Sequence, residues 1–445
     1  MIKILPFLLI TCLIIGCGGY KFSEVIEPLE KGQPKVAYTY LQKHTSKKPD
    51  IPFLFELGLV AHYANHFPES SAAFDQAGDI AEDRYTKSLS KEAVSLATSD
   101  KLRPYSGTRY ERLLSHYYRA LNYVYQGQLD GALVECRRAT ALINYFKGED
   151  ETYDFFGAGF LAYLSGVLFE ATGEWNDAYI SYKQAADYYR NAAEKTGVEM
   201  PEDIGRSLVR LARKLGFTDE LERYQEQYGE FSVHPANTGE LILFYESGYV
   251  PPKGEEALTF PILKTDKVDK PDKFAPTLMR RQGRVYEEIE LEYLLRVAIP
   301  TIDSNRPLLS GIEVAAGAAK ANGVLVEDVE NIAIETFNAQ RTGILLRTLV
   351  RAVFKYLSYR EANKQNEVLG LLVNLAGVVT EQADKRSWQT LPNQIFMVRM
   401  PLPAGTHTLN LSFLGENGRV RGRDSVPDIK INPNRITFWN HRTYE

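Results

Sequence analysis

The chain has 445 residues, 44% of them hydrophobic, and a formal net charge of −5. That is enough apolar material for two or three domains with cores of their own. The mildly acidic balance gives no general pull toward nucleic acid or anionic lipid, and none of the Cys and His residues cluster at zinc-ligand spacing.

Taken in chain order, the first element is a basic start at Lys3, an apolar run from Ile4 to Ile15, and then Gly16-Cys17. The run is too short for a stable bilayer-crossing helix and ends in a small residue and a cysteine, so residues 1–16 are expected to be an export signal. Ile14-Ile15-Gly16-Cys17 resembles the bacterial lipobox. The resemblance implies cleavage before Cys17, a diacylglyceryl group on its thiol and an acylated amino terminus. An ordinary signal peptide with a chance cysteine is the alternative. Gly18, rather than an acidic residue, implies by the same resemblance the periplasmic face of the outer membrane, with residues 17–30 as a lipidated tether. Cys12 leaves with the signal and Cys17 carries lipid, so Cys136 remains as a single thiol with no disulfide partner.

Residues 31–230 read as helices carrying an internal repeat. Gly58, Ala61, Asn65, Phe67, Ser70, Phe74 and Ala77 share their spacing with Ala120, Tyr123, Gly127, Leu129, Ala132, Cys136 and Ala139, and again with Gly166, Phe169, Gly173, Trp175, Ala178, Tyr182 and Ala185. This resembles the tetratricopeptide pattern, in which small residues sit where antiparallel helices touch and aromatic residues fill the gaps. Any helical hairpin bundle is the alternative, since Ala and Gly at helix crossings are common. A half-copy at Gly32, Ala37 and Leu41 with Pro49 precedes the three, and Leu211 to Tyr224 around Gly216 reads as a closing helix pair. In this register Cys136 is expected to be a buried structural thiol.

From residue 231 to 445 the expectation is an α+β domain. Strand-like runs occur at Leu241–Tyr245, Phe260–Leu263, Val285–Ile289, Tyr293–Ile299, Ile395–Met400, Thr406–Phe413 and Arg435–Trp439, with a helical insert over about 329–382. Pro401 to Gly405 reads as the turn of a hairpin. The predicted fold class is therefore α+β multidomain: a tetratricopeptide-like α-solenoid followed by a mixed domain with antiparallel strands.

No catalytic constellation, phosphate-binding loop, metal site or cofactor site emerges. His62 and His66 lie one helical turn apart, at metal-ligand spacing but without a third ligand. His116 reads as a packed histidine. Between Arg341 and Lys364, Arg347, Arg351 and Lys355 recur at one-turn spacing while Ile344, Leu345, Leu349, Val353, Phe354 and Leu357 form an apolar side. That pattern fits either a domain helix with a charged solvent face or a surface for anionic lipid, envelope phosphates or an acidic partner.

The runs Tyr105-Ser106-Gly107, Tyr110-Glu111-Arg112, His116 to Tyr123 and Glu135 to Ala139, with Gly248 to Lys253, Arg341, Arg347-Thr348-Leu349 and Asp384 to Pro392, resemble a family of poorly characterised bacterial envelope lipoproteins with tetratricopeptide-like repeats. That resemblance implies an envelope lipoprotein and supplies no catalytic residues. The leading expectation is a non-enzymatic scaffold or adaptor on the outer membrane whose groove binds a periplasmic or envelope protein through Arg112, His116, Arg119, Tyr123, Arg137 and Arg138. The aromatic residues among and beside these equally suit a solenoid core. An adaptor for surface-polymer assembly is not separable from this. The other class is a carbohydrate-binding or carbohydrate-processing protein using Trp388 and Trp439 as stacking platforms, with Asp303, Glu327 or Asp328 as polar partners.

Overall fold

A computed structural model describes residues 20–88, 104–149, 156–231, 237–264, 290–366, 370, 374 and 382–445. Cys17 with its signal segment and the strand candidate Val285–Ile289 lie outside the described residues.

Among the described residues ten helices form five antiparallel pairs: α1 (Ser23–Glu30) with α2 (Pro34–Lys43), α3 (Ile51–Tyr63) with α4 (Phe67–Ser88), α5 (Arg109–Tyr125) with α6 (Leu129–Glu149), α7 (Ala158–Thr172) with α8 (Trp175–Thr196), and α9 (Glu202–Leu215) with α10 (Thr218–Tyr228). The repeat residues explain the pairing. Asn65, Gly127, Gly173 and Gly216 turn four of the hairpins with positive φ, a conformation open to Gly and tolerated by Asn. Where the helices cross, a Cβ on Gly58 would meet the Phe74 ring at 2.7 Å and one on Gly166 would meet the Tyr182 ring at 2.8 Å. At the equivalent crossing in the middle copy Ala120 stands in place of glycine and Cys136 in place of the ring. The thiol is buried, and burial pushes it up to about 12.

The half-copy at the start is a complete helix pair. Val25 and Leu29 of α1 are buried with Ala37, Tyr38 and Leu41 of α2 against Phe53, Val60 and Ala61 of α3. Residues 23–30 therefore belong to the solenoid and not to the tether expected over 17–30.

The second half contains β1 (Thr238–Ser247), β2 (Lys253–Lys264), β3 (Glu290–Ile302), β4 (Gly311–Ala316), β5 (Ala319–Asn322), β6 (Val324–Asp328), α11 (Val329–Gln365), β7 (Gln394–Pro403), β8 (Gly405–Leu414), β9 (Val420–Ile431) and β10 (Ile436–Arg442). Two four-stranded sheets, in the orders β10-β1-β7-β6 and β5-β4-β8-β9, pack face to face, while β2 and β3 form a separate hairpin. All pairings are antiparallel except β1 with β10. The expected β7–β8 hairpin is not formed. The two strands lie in different sheets, and the proline-rich stretch is the corner where the chain crosses the sandwich.

The first sheet is buried on both faces, which is why β1 reads as an unbroken apolar run. Leu241, Leu243 and Tyr245 face the second sheet, whereas Ile242 and Phe244 share one core with the helices. The chain is thus an α+β protein in which solenoid and sandwich are packed on each other.

Candidate functional site

The inner surface of the solenoid is filled by the chain itself. Glu56 on α3 and Glu111 on α5 are buried acids that hold the backbone of residues 388–390 as a groove holds an extended peptide. Glu111 Oε1 accepts from the Trp388 N–H at 2.6 Å; Glu56 Oε1 accepts from Gln389 N–H at 2.7 Å, and its other oxygen takes the N–H and hydroxyl of Thr390. Local sequence positions both acids. Thr108 and Glu111 form a capping box that opens α5, and Glu56 sits mid-helix facing the same segment. The Trp388 ring is wholly buried, stacked on Phe55 with centroids 4.7 Å apart and flanked by Phe74 and Tyr118.

The same face holds the first sheet. Tyr63 and Tyr117 donate their hydroxyls to Glu246 at 2.5 and 2.9 Å, and Tyr125 donates to Asn440. Arg399 forks onto both Glu240 oxygens at 2.8 Å and reaches Ser207 of α9. Tyr117 and Tyr125 of α5 are therefore anchors for the sandwich and not free platforms. Glu56 and Glu111 carry no local signal of this role, because their partners lie more than 270 residues away in sequence.

A groove of about 640 Å³ lies open between α4, α5 and α6. Asp75, Asp79 and Glu82 line it from α4, Arg112, Ser115, His116 and Arg119 from α5, and Arg138, Leu142 and Tyr145 from α6, over a base of Phe55 and Phe74. Of the six expected contact residues, Arg112, His116, Arg119 and Arg138 are brought together here. Tyr123 is not, since its ring lies against Gly131 in the neighbouring crossing. Arg137 points to the other side of α6, where it pairs with Glu174 at 3.0 Å and lies over the Phe169 ring. The acidic α4 wall was not foreseen, although Asp75, Asp79 and Glu82 follow helical spacing.

Buried Glu135 organises the floor. It accepts from His116 Nδ1 at 2.9 Å, from Arg119 at 2.9 Å and from Arg138 at 3.0 Å, and Arg119 also pairs with Asp75. Burial pulls His116 below its ordinary range, against the opposing pull of Glu135. Three donors share the Glu135 charge, which fixes side chains more than it activates a base. The neighbouring Ser115 hydroxyl donates to a backbone carbonyl. Arg112 stacks over Phe146 at 5.2 Å and, unlike Arg119 and Arg138, has no ion pair among the described residues; its Nε, like that of Arg119, is buried without a hydrogen bond.

The other expectations resolve plainly. His62 donates from Nδ1 to Asn122 at 2.7 Å and accepts from Asn440 on Nε2 at 3.1 Å, and burial lowers its pKa to about 4. Both nitrogens are engaged, which leaves no lone pair for a metal. His66 stacks on Tyr38. The carbohydrate reading loses its stacking residue, because Trp388 is inside the core. Trp439 is partly buried against the sandwich core. Asp303 is exposed, Asp328 caps α11 and pairs with Arg306, and Glu327 is a buried acid pushed up to about 8.

No family model matches the chain, and no curated protein matches it. Among solved structures it is similar to the apo form of RapI, with 12% identity and a TM-score of 0.34 over 46% of this chain and 51% of that one. It is also similar to aspartyl phosphate phosphatase F from Bacillus subtilis, with 16% identity and a TM-score of 0.31 over 46% and 47% of the two chains. A third similar structure holds the TPR-like repeats of a Podosopora anserina protein described as a kinesin light chain, with 15% identity and a TM-score of 0.30 over 46% and 89%. The chain spans about half the length of the first two.

Proposed function

We propose that this chain is an envelope lipoprotein, held through acyl chains on Cys17 at the periplasmic face of the outer membrane, that works as a non-enzymatic scaffold for an envelope protein. The partner docks in the groove between α4, α5 and α6. The observation that carries this reading is the division of the solenoid's surfaces. The inner face is occupied by the chain's own sandwich, while the outer groove stays open with charged walls and a guanidinium, Arg112, that lacks a polar partner. Acidic and basic walls facing one another suit a polar protein segment better than a lipid tail. The anchor raises local concentration beside envelope partners, so modest contacts suffice.

The test is site-specific photocrosslinking in cells with the lipidated protein. A crosslinker in place of Leu142, within the groove, should trap one envelope protein, and Arg112→Glu should abolish the adduct. A crosslinker in place of Arg137, outside it, should trap none of that protein. Equal adducts from both positions, or adducts indifferent to Arg112→Glu, would overturn the groove assignment.

A further inference from the structure

Midway along α11 the usual order is reversed. Arg351 is buried, and Arg347 and Lys355 are half-buried. Between and beside them Leu346, Leu349, Val353, Phe354 and Leu357 are each 52–63% exposed. At 100° per residue these five span an arc of about 140° along three turns, and no charged residue interrupts it. On the same azimuth the stripe runs into exposed Arg360 and Lys364, which pair with Glu292 at 3.9 Å and with Glu361 at 3.1 Å. Beyond α11 the sequence continues into Val368–Val379, whose twelve residues carry no charge. Phe260 and Leu291, in the hairpin on which α11 packs, are also about half exposed. No helix of the described residues is long and apolar enough to cross a membrane.

We propose that the exposed face of α11 is a membrane-surface element: it lies in the headgroup boundary of an anionic bilayer, with the stripe in the acyl region and Arg360 and Lys364 reaching lipid phosphates. A wide apolar arc closed by cations at one end is the pattern of a helix lying in the interface plane. Exposed apolar surface of this extent marks a site of interaction. The proposal rests on the lipoprotein reading for its bilayer, since an acyl group on Cys17 delivers the chain to one. Its own contact is independent of that group, and so is its test.

The mature chain from residue 17, carrying Cys17→Ser, is sedimented with vesicles of phosphatidylethanolamine and phosphatidylglycerol. The unacylated chain should pellet with these vesicles, and less with phosphatidylcholine alone. Leu349→Ser with Val353→Ser and Leu357→Ser should weaken binding by about tenfold or more with unchanged circular dichroism, because these side chains already face solvent. Failure to bind anionic vesicles would overturn the proposal. So would a concentration-dependent dimer in light scattering that the triple substitution dissolves while vesicle binding is absent, which would assign the face to a second copy of the chain. Mass spectrometry of the amino-terminal peptide from cells tests acylation of Cys17 separately, so the two failures are distinguishable.

Discussion

Three buried titratable side chains set a pH dependence that can be worked out residue by residue. His62 is lowered from 6.5 to about 4 by burial, so the unfolded chain binds the extra proton. Its contribution grows as pH rises from about 4 and is complete by 6.5. Glu56 and Glu327 are raised from 4.5 to about 8 by burial, so the folded chain holds the proton more tightly. Stability from these two is full below 4.5 and is lost as pH rises toward 8. Between pH 6.5 and 8 only the second effect operates. Urea midpoints should therefore fall across that window, by up to about 1 kcal/mol per pH unit for each group. Glu327 has no hydrogen-bond partner among the described residues, and Glu327→Gln should roughly halve the slope; a flat wild-type profile would remove the argument. Glu56→Ala is a different matter, because it strands the N–H groups of Gln389 and Thr390. It should cost about 3 kcal/mol near pH 6 and less as pH rises toward 8, where the wild-type carboxyl's own contribution falls, read as a shift of the unfolding midpoint.

At the scale of elements, the repeat register makes a prediction that no single residue makes. Gly58 under Phe74 and Gly166 under Tyr182 correspond, at the same sequence spacing, to Ala120 and Cys136, a larger residue in place of glycine and a smaller one in place of the ring. Cys136→Phe should overpack that crossing by about 1–3 kcal/mol, and Ala120→Gly alone should cost about 1 kcal/mol. Together they should cost less than the sum, since the double variant restores the pairing of the outer copies. Simple additivity in a thermal-unfolding cycle would contradict the shared register.

The same spacing is why the solenoid was legible in sequence: three copies with turn residues at fixed offsets leave little freedom. Strands β1 and β7 were legible because apolar runs mark a sheet buried on both faces. Strand β9 was not, because Arg421, Arg423, Asp424 and Lys430 line an exposed edge that looks like loop. The orientation of α11 was misjudged on the premise that the apolar side of a helix faces inward. In the groove, Arg112, His116 and Arg119 lie together because they share one face of α5, whereas adjacent Arg137 and Arg138 stand about 100° apart on α6 and cannot both line one wall. Glu56 and Glu111 were illegible as a peptide clamp because only tertiary structure brings residues 388–390 to them.

For the whole molecule, the consequence of that clamp is that solenoid and sandwich should not unfold separately. The first sheet supplies Ile242, Phe244, Ile395 and Met397 to the helical core on one face and Leu241, Leu243 and Val398 to the sandwich on the other, so loosening either exposes both. Calorimetry should show one transition. Trp388→Ala removes the largest side chain of the shared core and should cost about 3–5 kcal/mol. The loss falls on the junction, so the single transition should broaden or split, with solenoid helicity outlasting the sandwich signal. If helical and near-ultraviolet signals still move together at a merely lowered midpoint, Trp388 is one core residue among many. Separation of the two signals would instead mean that the segment 388–390 is what couples the halves. An inner face closed by such a coupling is not vacated for a partner without partial unfolding.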